Sequence, residues 1–415
     1  MKILLICEDL PAAKNGGLAK HVVLLGNSLI AQGHDVSLLG LRDVNYEEVA
    51  QEVGFNGGFI PGLTSPLGGW KERSLGFFNP LKRPYFSWRL ANEIARHAKN
   101  FDVVHYHGHL PMVGFFIPRS INFIQTRHDQ GGDCMTNVRF KDNEICNERN
   151  PLSCAKCIRQ SNNPSPIRDY ISSLAVRWSR SLTLKSYEKH YVIFVSDFLR
   201  ENFLKIYPPT MLPNSFVIHN FVDDNLLKMT EMDISRTASQ NAVTQNLRIH
   251  IAARLDMPKG VLQFLDEILP RLPNNMKIDI YGDGPLRSVI EVAYKHPSVM
   301  LHGHKPYSEI VQATNSADVV VVPSIWEEPC GTTILEALKL GKQCFALNRG
   351  GTPELIKYAE KDQLQLFPDI SSLVAGLIQL NTFPVFHNDK SCDVMSALPN
   401  IIRSYRTCMK LQDGS

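Results

Sequence analysis

Ser324-Ile325-Trp326-Glu327-Glu328-Pro329-Cys330-Gly331-Thr332-Thr333-Ile334-Leu335-Glu336-Ala337-Leu338 stands just after the apolar run Ala317-Asp318-Val319-Val320-Val321-Val322. The run reads as a buried strand, and Thr332 to Leu340 reads as a helix. A strand, a glycine-containing turn and a helix make a ligand-binding edge of a parallel α/β sheet. Free N–H groups at Gly331, Thr332 and Thr333, with the positive end of the helix dipole, would suit a phosphate. Glu328 and Glu336 bracket the turn. Taken alone, they read more simply as a partner of the helix dipole and a solvated helix residue.

The same alternation continues on both sides. Residues 2–7 are expected to be a strand, Leu18 to Gln32 an amphipathic helix, and Asp35 to Leu39 the next strand, a βαβ opening that implies a parallel sheet. Further strands are expected at 101–106, 121–125, 191–195, 248–252, 277–281, 299–302 and 343–347, with a helix at 307–316. A stretch rich in Ser, Thr, Asn and Gln near 233–246 marks an interdomain region. The expected fold is α/β, two Rossmann-like doubly wound domains facing a central cleft. The first would span 1–215, with a Cys-containing insertion at about 130–165. The second would span 216–395, and a helix in 396–415 would cross back to the first.

With 415 residues, 44% of them hydrophobic, the chain can bury a large core. Lys+Arg 44 against Asp+Glu 41 gives +3, which excludes a dedicated nucleic-acid binder but leaves room for a local basic patch. No run of 18 uncharged apolar residues suggests a membrane span. The opening apolar run stops at Glu8-Asp9 without a cleavage-like site. An odd 9 cysteines fit a reducing compartment. The expected location is cytoplasmic, with peripheral contact at the inner face of a membrane.

Arg254 and Lys259 fall in the loop after an expected strand, where both can converge on an anion. Gly282-Asp283-Gly284 ends the next strand in a turn where backbone could approach a ligand. Glu328-Pro-Cys-Gly-Thr-Thr-Ile-Leu-Glu336 resembles the Glu-x7-Glu signature of retaining glycosyltransferases with the GT-B fold, in particular glycosyltransferase family 4. Arg254 to Gly260 is similar to that family's diphosphate motif, Tyr281 to Pro285 to its Gly-x-Gly turn, and Ala346 to Glu354 to the strand and glycine pair that follow. Val217 to Asp223 resembles its interdomain turn, with Phe221 in place of Gly. Gly16-Gly17-Leu18-Ala19-Lys20-His21 is similar to its first loop and helix. The matches run in order from residue 1 to about 360.

The resemblance implies roles. Arg254 and Lys259 would neutralise the leaving diphosphate, Glu336 would bind the ribose, and Glu328 would hold the transferred sugar. Gly16, Gly17, Asn220, Gly282, Gly284, Gly331, Thr332 and Thr333 would complete the donor site. His128, at the end of its strand, would contact the sugar. The donor would be a UDP-, GDP- or dTDP-linked sugar and the acceptor a saccharide or lipid-linked molecule, in bacterial surface polysaccharide or glycolipid synthesis. Cys330 and Thr333 depart from the usual pattern and bear on the sugar pocket. The chain holds no Asp-x-Asp, which fits leaving-group stabilisation by Arg and Lys with no catalytic cofactor. The rival readings are a non-catalytic nucleotide-sugar or carbohydrate-binding subunit and another GT-B enzyme such as an epimerase.

Three features of the first half stand apart. Cys134, Cys146, Cys154 and Cys157 supply four thiols, enough for a structural zinc or else free in a polar insertion. His105, His107 and His109 alternate after a strand and read as structural. Arg168 to Lys189 reads as a helix with Ile171, Leu174, Ala175, Trp178 and Leu182 on one side. It is expected to be a core helix with a solvated basic face rather than a membrane-docking one. Lys71, Arg73, Lys82, Arg83 and Arg89, interleaved with Trp70, Phe77, Phe78, Tyr85 and Trp88, form either an acceptor surface or a loop packed on the domain.

Overall fold

The computed structural model describes every residue except 11–15, 42–45, 47–49, 51–52, 64–78, 159–164, 208–211, 224, 227–246, 381–383, 385, 388–389 and 411–415. The chain forms two compact units, the first of Met1–Lys141, Cys146–Asn220 and Val394–Ser415, the second of Asp142–Ile145 and Phe221–Asp393.

The first unit is built on a parallel sheet of β1 (Lys2–Cys7), β2 (Asp35–Leu41), β3 (Gly58–Leu63), β4 (Val103–His107) and β5 (Phe123–Arg127). A short strand β6 (Phe140–Lys141) follows, β7 (Glu144–Ile145) falls in the second unit, and β8 (Tyr191–Phe194) and β9 (Ser215–Val217) complete the sheet. Its order is β3-β2-β1-β4-β5-β8-β9, so the strand order reverses beside β1. Ligands of such sheets bind outside the carboxyl ends of the strands, where the order reverses. β1, β4 and β5 are buried on both faces; β1 accordingly reads as a continuous apolar run, while β4 and β5 end in buried polar residues, His105 and His107, and Gln125, Thr126 and Arg127. Helix α1 (Gly17–Ala31) buries Ala19, Val22, Leu25 and Leu29, a three-and-four spacing that lays one stripe on the sheet. Helices α2 (Arg83–Ala98), α3 (Pro151–Cys157) and α4 (Pro166–Lys189) follow.

The second unit has strands β10 (Leu247–Ala252), β11 (Met276–Tyr281), β12 (Val299–Gly303), β13 (Val319–Val322), β14 (Gln343–Leu347) and β15 (Leu364–Phe367). Their order is β12-β11-β10-β13-β14-β15, again all parallel, with Ile249 opposite Val319 and Val319 opposite Gln343. Helices α5 (Val261–Ile268), α6 (Tyr307–Ser316) and α7 (Thr332–Lys339) flank it. Phe264, Leu265, Leu335, Leu338 and Phe345 are fully buried in its core. The final helix, α8 (Val394–Lys410), belongs to the first unit: Tyr405 Oη lies 2.7 Å from His105 Nδ1, and Cys408 lies against the Phe123 carbonyl.

Two expectations are corrected here. On α4, Ala175, Val176 and Leu182 are buried, but Ile171, Leu174 and Trp178 are exposed. The apolar side read from the sequence is therefore split between core and solvent. Arg83 is not a surface cation either. It is 1% exposed and donates to Asn137 Oδ1 at 2.8 Å and to the Met135 sulfur. Trp70, Lys71, Arg73, Phe77 and Phe78 lie outside the described residues.

Candidate functional site

In the second unit the loops after β10 and β13 lock together. The N–H groups of Ile325 and Trp326 both donate to the Pro258 carbonyl, at 3.0 and 3.3 Å. Lys259 ends a single turn, Met257–Lys259, which is closed by Gly260 at φ +68. A Cβ at Gly260 would stand 2.0 Å from the Pro323 carbonyl oxygen, so both the left-handed backbone and the close approach demand glycine.

This closure sets Lys259 Nζ 2.5 Å from Glu328 Oε1. Ser324 Oγ donates to the same oxygen at 2.9 Å. Burial opposes ionisation of Glu328, yet the Lys259 charge and the hydrogen bonds from Lys259 and Ser324 hold its carboxyl below the usual range. Lys259 also stands over the Trp326 ring, 5.1 Å from its centre. Arg254 is more open, with Nε 3.3 Å from Asp256 Oδ2.

Helix α7 begins at Gly331, whose position carries no side-chain cap, so the first-turn N–H groups of Thr332 and Thr333 remain for a ligand. Glu336 lies one turn on and accepts from Tyr307 Oη at 2.8 Å. Burial, then the Glu336 charge, pushes the Tyr307 phenol far up, so it stays a donor. Arg254, Lys259 and Glu328 lie on loops at the carboxyl ends of β10 and β13, and Glu336 lies within α7, the helix that follows β13.

Gly282 and Gly284 serve the scaffold. A Cβ on Gly282, at φ +126, would sit 1.9 Å from the Ala253 carbonyl oxygen, and one on Gly284 would meet the Leu255 carbonyl. Ala253 donates to the Tyr281 carbonyl and Leu255 to that of Asp283, both at 3.0 Å. The close backbone approach expected at these glycines is made by the chain itself, which fixes the loop carrying Arg254.

In the first unit His128 follows β5 and His107 ends β4. His107 Nδ1 lies 3.1 Å from His128 Nε2. His21, on α1, packs edge-on against His128 with ring centres 4.7 Å apart. Among the described residues these three form the one group of metal-ligating types with an atom each within 4.8 Å of one another. Burial drives the His21 imidazole down to about 3, and burial with neighbouring imidazoles holds His107 and His128 well below their ordinary value. All three are neutral hydrogen-bonding groups at neutral pH. Beside them, Asp129 pairs with Arg127 at 2.5 Å and with His109 at 3.4 Å. Among the described residues nothing lies within 4 Å of a Cβ added on Gly16 or Gly17, at the start of α1, which carries no side-chain cap. Asn220 follows β9 and is half-buried.

The cysteines Cys134, Cys146, Cys154 and Cys157 line one cavity of about 290 Å³, shared with Arg139 and Arg180. All are reduced and half-buried. Their sulfurs share this cavity without three of them standing within 4.8 Å. The polar insertion is anchored by buried arginines. Arg180 donates to the carbonyls of Asp133 at 2.9 Å and Arg149 at 2.6 Å and to the Cys154 sulfur at 3.2 Å, while Arg139 pairs with Asp133.

The sequence reading missed His21, Ser324 and Tyr307. His21 stands four residues after Gly17, one helical turn into α1, and that spacing was the available signal.

Two parallel sheets, each with a phosphate-suited helix start at its switch point, are the frame of a GT-B glycosyltransferase. The model for glycosyltransferase family 4 matches residues 15–226, and that for glycosyl transferases group 1 matches residues 246–382. The chain belongs to glycosyltransferase family 4 and is a glycosyltransferase. An uncharacterised glycosyltransferase of Methanocaldococcus jannaschii is 24% identical over 388 residues, 89% of this chain and 85% of that protein. An amylovoran biosynthesis glycosyltransferase of Erwinia amylovora is 28% identical over 153 residues, 34% of this chain and 38% of that one. Among solved structures, HepE of Anabaena in complex with UDP-glucose superposes with a TM-score of 0.63 at 17% identity, over 98% of this chain and 100% of its own.

Proposed function

We propose that the enzyme transfers a sugar, with retention of anomeric configuration, from a nucleotide-sugar donor to a saccharide or lipid-linked acceptor. The setting we propose is bacterial surface polysaccharide or glycolipid assembly at the cytoplasmic face of a membrane. The observation that carries this reading is the Lys259–Glu328 pair beside the uncapped start of α7. When the bond from the anomeric carbon to the diphosphate oxygen breaks, its electron pair stays on the diphosphate. Lys259, Arg254 and the N–H groups of Thr332 and Thr333 are the fixed positive groups that receive this charge. Glu336, steadied by Tyr307, suits the ribose hydroxyls, and Glu328 the transferred sugar. Neutral His128 supplies a hydrogen bond to a sugar hydroxyl rather than a proton.

The amylovoran relative supports the polysaccharide setting, and the UDP-glucose complex of HepE makes UDP-glucose the first donor to try. The test is release of nucleoside diphosphate from UDP-, GDP- and dTDP-sugars, with and without oligosaccharide and lipid-linked acceptors. Turnover of one donor, stimulated by one acceptor class, is the expected result. Binding without turnover across the panel would point to a binding subunit instead.

A further inference from the structure

The exposed side of α4 is apolar. Ile167, Ile171, Leu174 and Trp178 follow one another at four, three and four residues, so they form a single row along the helix. Ile167 is 77% exposed and Trp178 52%, and Tyr170, 62% exposed, flanks the row. A second row begins just before α2: Leu81, Tyr85 and Trp88, again at four and three residues, with Trp88 48% exposed. The rows are neighbours. Ser179, next to Trp178, donates to the carbonyl of Pro80, next to Leu81, at 3.1 Å. Both helices also turn a buried arginine, Arg83 and Arg180, onto the same 133–137 loop, so their outer sides emerge together.

These eight side chains are a majority of the fourteen large apolar ones that stand exposed among the described residues. A soluble surface scatters such residues singly, and a contiguous patch marks an interaction site. Within the two rows of the patch the exposed charges share one sign. Lys82, Arg168 and Arg177 are exposed within it, and Arg89 lies at its edge. Between residues 81 and 89 and between 167 and 178 the one acid, Asp169, is buried, and the other acids of α2 and α4, Glu93 and Glu188, lie farther along the helices. Aliphatic side chains flanked by Trp and Tyr and rimmed by Lys and Arg match the acyl, interfacial and anionic headgroup layers of a bilayer in turn.

We propose that the outer faces of α2 and α4 form a docking surface for an anionic lipid bilayer, on which the enzyme rests without spanning it. Among the described residues no helix is long and apolar enough to cross a membrane. The inference goes beyond the catalytic reading and stands whichever sugar is moved.

The experiment is co-sedimentation of the full chain with phosphatidylglycerol–phosphatidylcholine vesicles and with pure phosphatidylcholine vesicles, at low and high salt. The wild type should bind the anionic vesicles, shift its tryptophan emission to the blue, and release at high salt. Trp88→Ser with Trp178→Ser should weaken binding by roughly tenfold or more. Arg168→Gln with Arg177→Gln should remove the preference for anionic lipid. These substitutions sit on exposed side chains, so folding and donor hydrolysis should stay at wild-type levels. Failure to bind at low salt, or binding untouched by the double Trp variant, would overturn the proposal. So would a concentration-dependent dimer in light scattering that the Trp variant abolishes, since a second copy would then be what covers the face.

Discussion

Lys259 and Glu328, 69 residues apart in the chain, meet at 2.5 Å because the Pro258 carbonyl clamps the two loops that carry them. The pair is half-shielded from water, so it is worth more than a surface ion pair and leaves a costly charge if broken.

Lys259→Met should destabilise the second unit by about 1–3 kcal/mol, the cost of a buried charged hydrogen bond left unmade. The folded pKa of Glu328 is depressed. Its stabilisation is therefore present above the ordinary carboxylate value and is lost as pH falls through the lower folded value. Melting temperatures of wild type and Lys259→Met, taken from neutral to acid pH, should converge at the acid end. A constant gap would refute the ion-pair account.

Donor use should fall in Lys259→Ala and in Glu336→Ala by roughly tenfold or more, about 1.4 kcal/mol of transition-state stabilisation. Tyr307→Phe removes one donor to Glu336 and should raise KM for the donor by a few-fold with kcat near normal. Steady-state kinetics on the preferred donor checks all three. Unchanged kinetics in both alanine variants, with the fold intact, would remove the donor-site assignment.

His21, His105, His107 and His128 are held neutral, the first two down to about 3. The unfolded chain binds protons at these groups from about pH 6.5 downward, while the folded chain does not. Stability should therefore fall as pH drops below 6.5, by up to about 1.4 kcal/mol per pH unit for each imidazole. Denaturant midpoints between pH 7 and 4 measure this. A flat profile in that window would mean that the imidazoles protonate freely.

The cysteine cavity is expected to take one zinc per chain, with Cys134, Cys146, Cys154 and Cys157 drawn inward to ligand distance. Metal analysis of protein purified without chelators checks this. Cys154→Ser with Cys157→Ser should lose the metal and lower the melting temperature. Neither zinc nor iron at stoichiometric level would leave four free thiols.

Much of the fold could be read because buried parallel strands carry aliphatic runs: Val319–Val322 and Ile3–Ile6 announce themselves. The edge strands β3 and β15 were missed. One contains Pro61 and two glycines, and the other is only partly buried, so neither shows a strong pattern. Arg254 and Lys259 stood out by their loop positions, and Glu328 and Glu336 through the Glu-x7-Glu resemblance. Their partners did not: Tyr307 meets Glu336 across 29 residues only through tertiary packing, and Ser324, four residues before Glu328, meets it only through the fold of the loop. The α4 helix misled because periodicity shows that apolar residues share a side, not whether protein covers it. The buried arginines gave no signal for a related reason. Arg139 and Arg180 look like surface cations in sequence, and only tertiary structure turns Arg139 onto the Asp133 carboxylate and Arg180 onto two backbone carbonyls.

Arg180 gives α4 a mechanical character. Its guanidinium is fastened to two backbone carbonyls and a sulfur of the insertion, while the opposite side of the same helix looks outward. Sliding the helix along its axis would tear all three fastenings at once. The helix is thus a strut, and a load on its outer side is carried through one rigid side chain to the chain segment that begins just beyond His128.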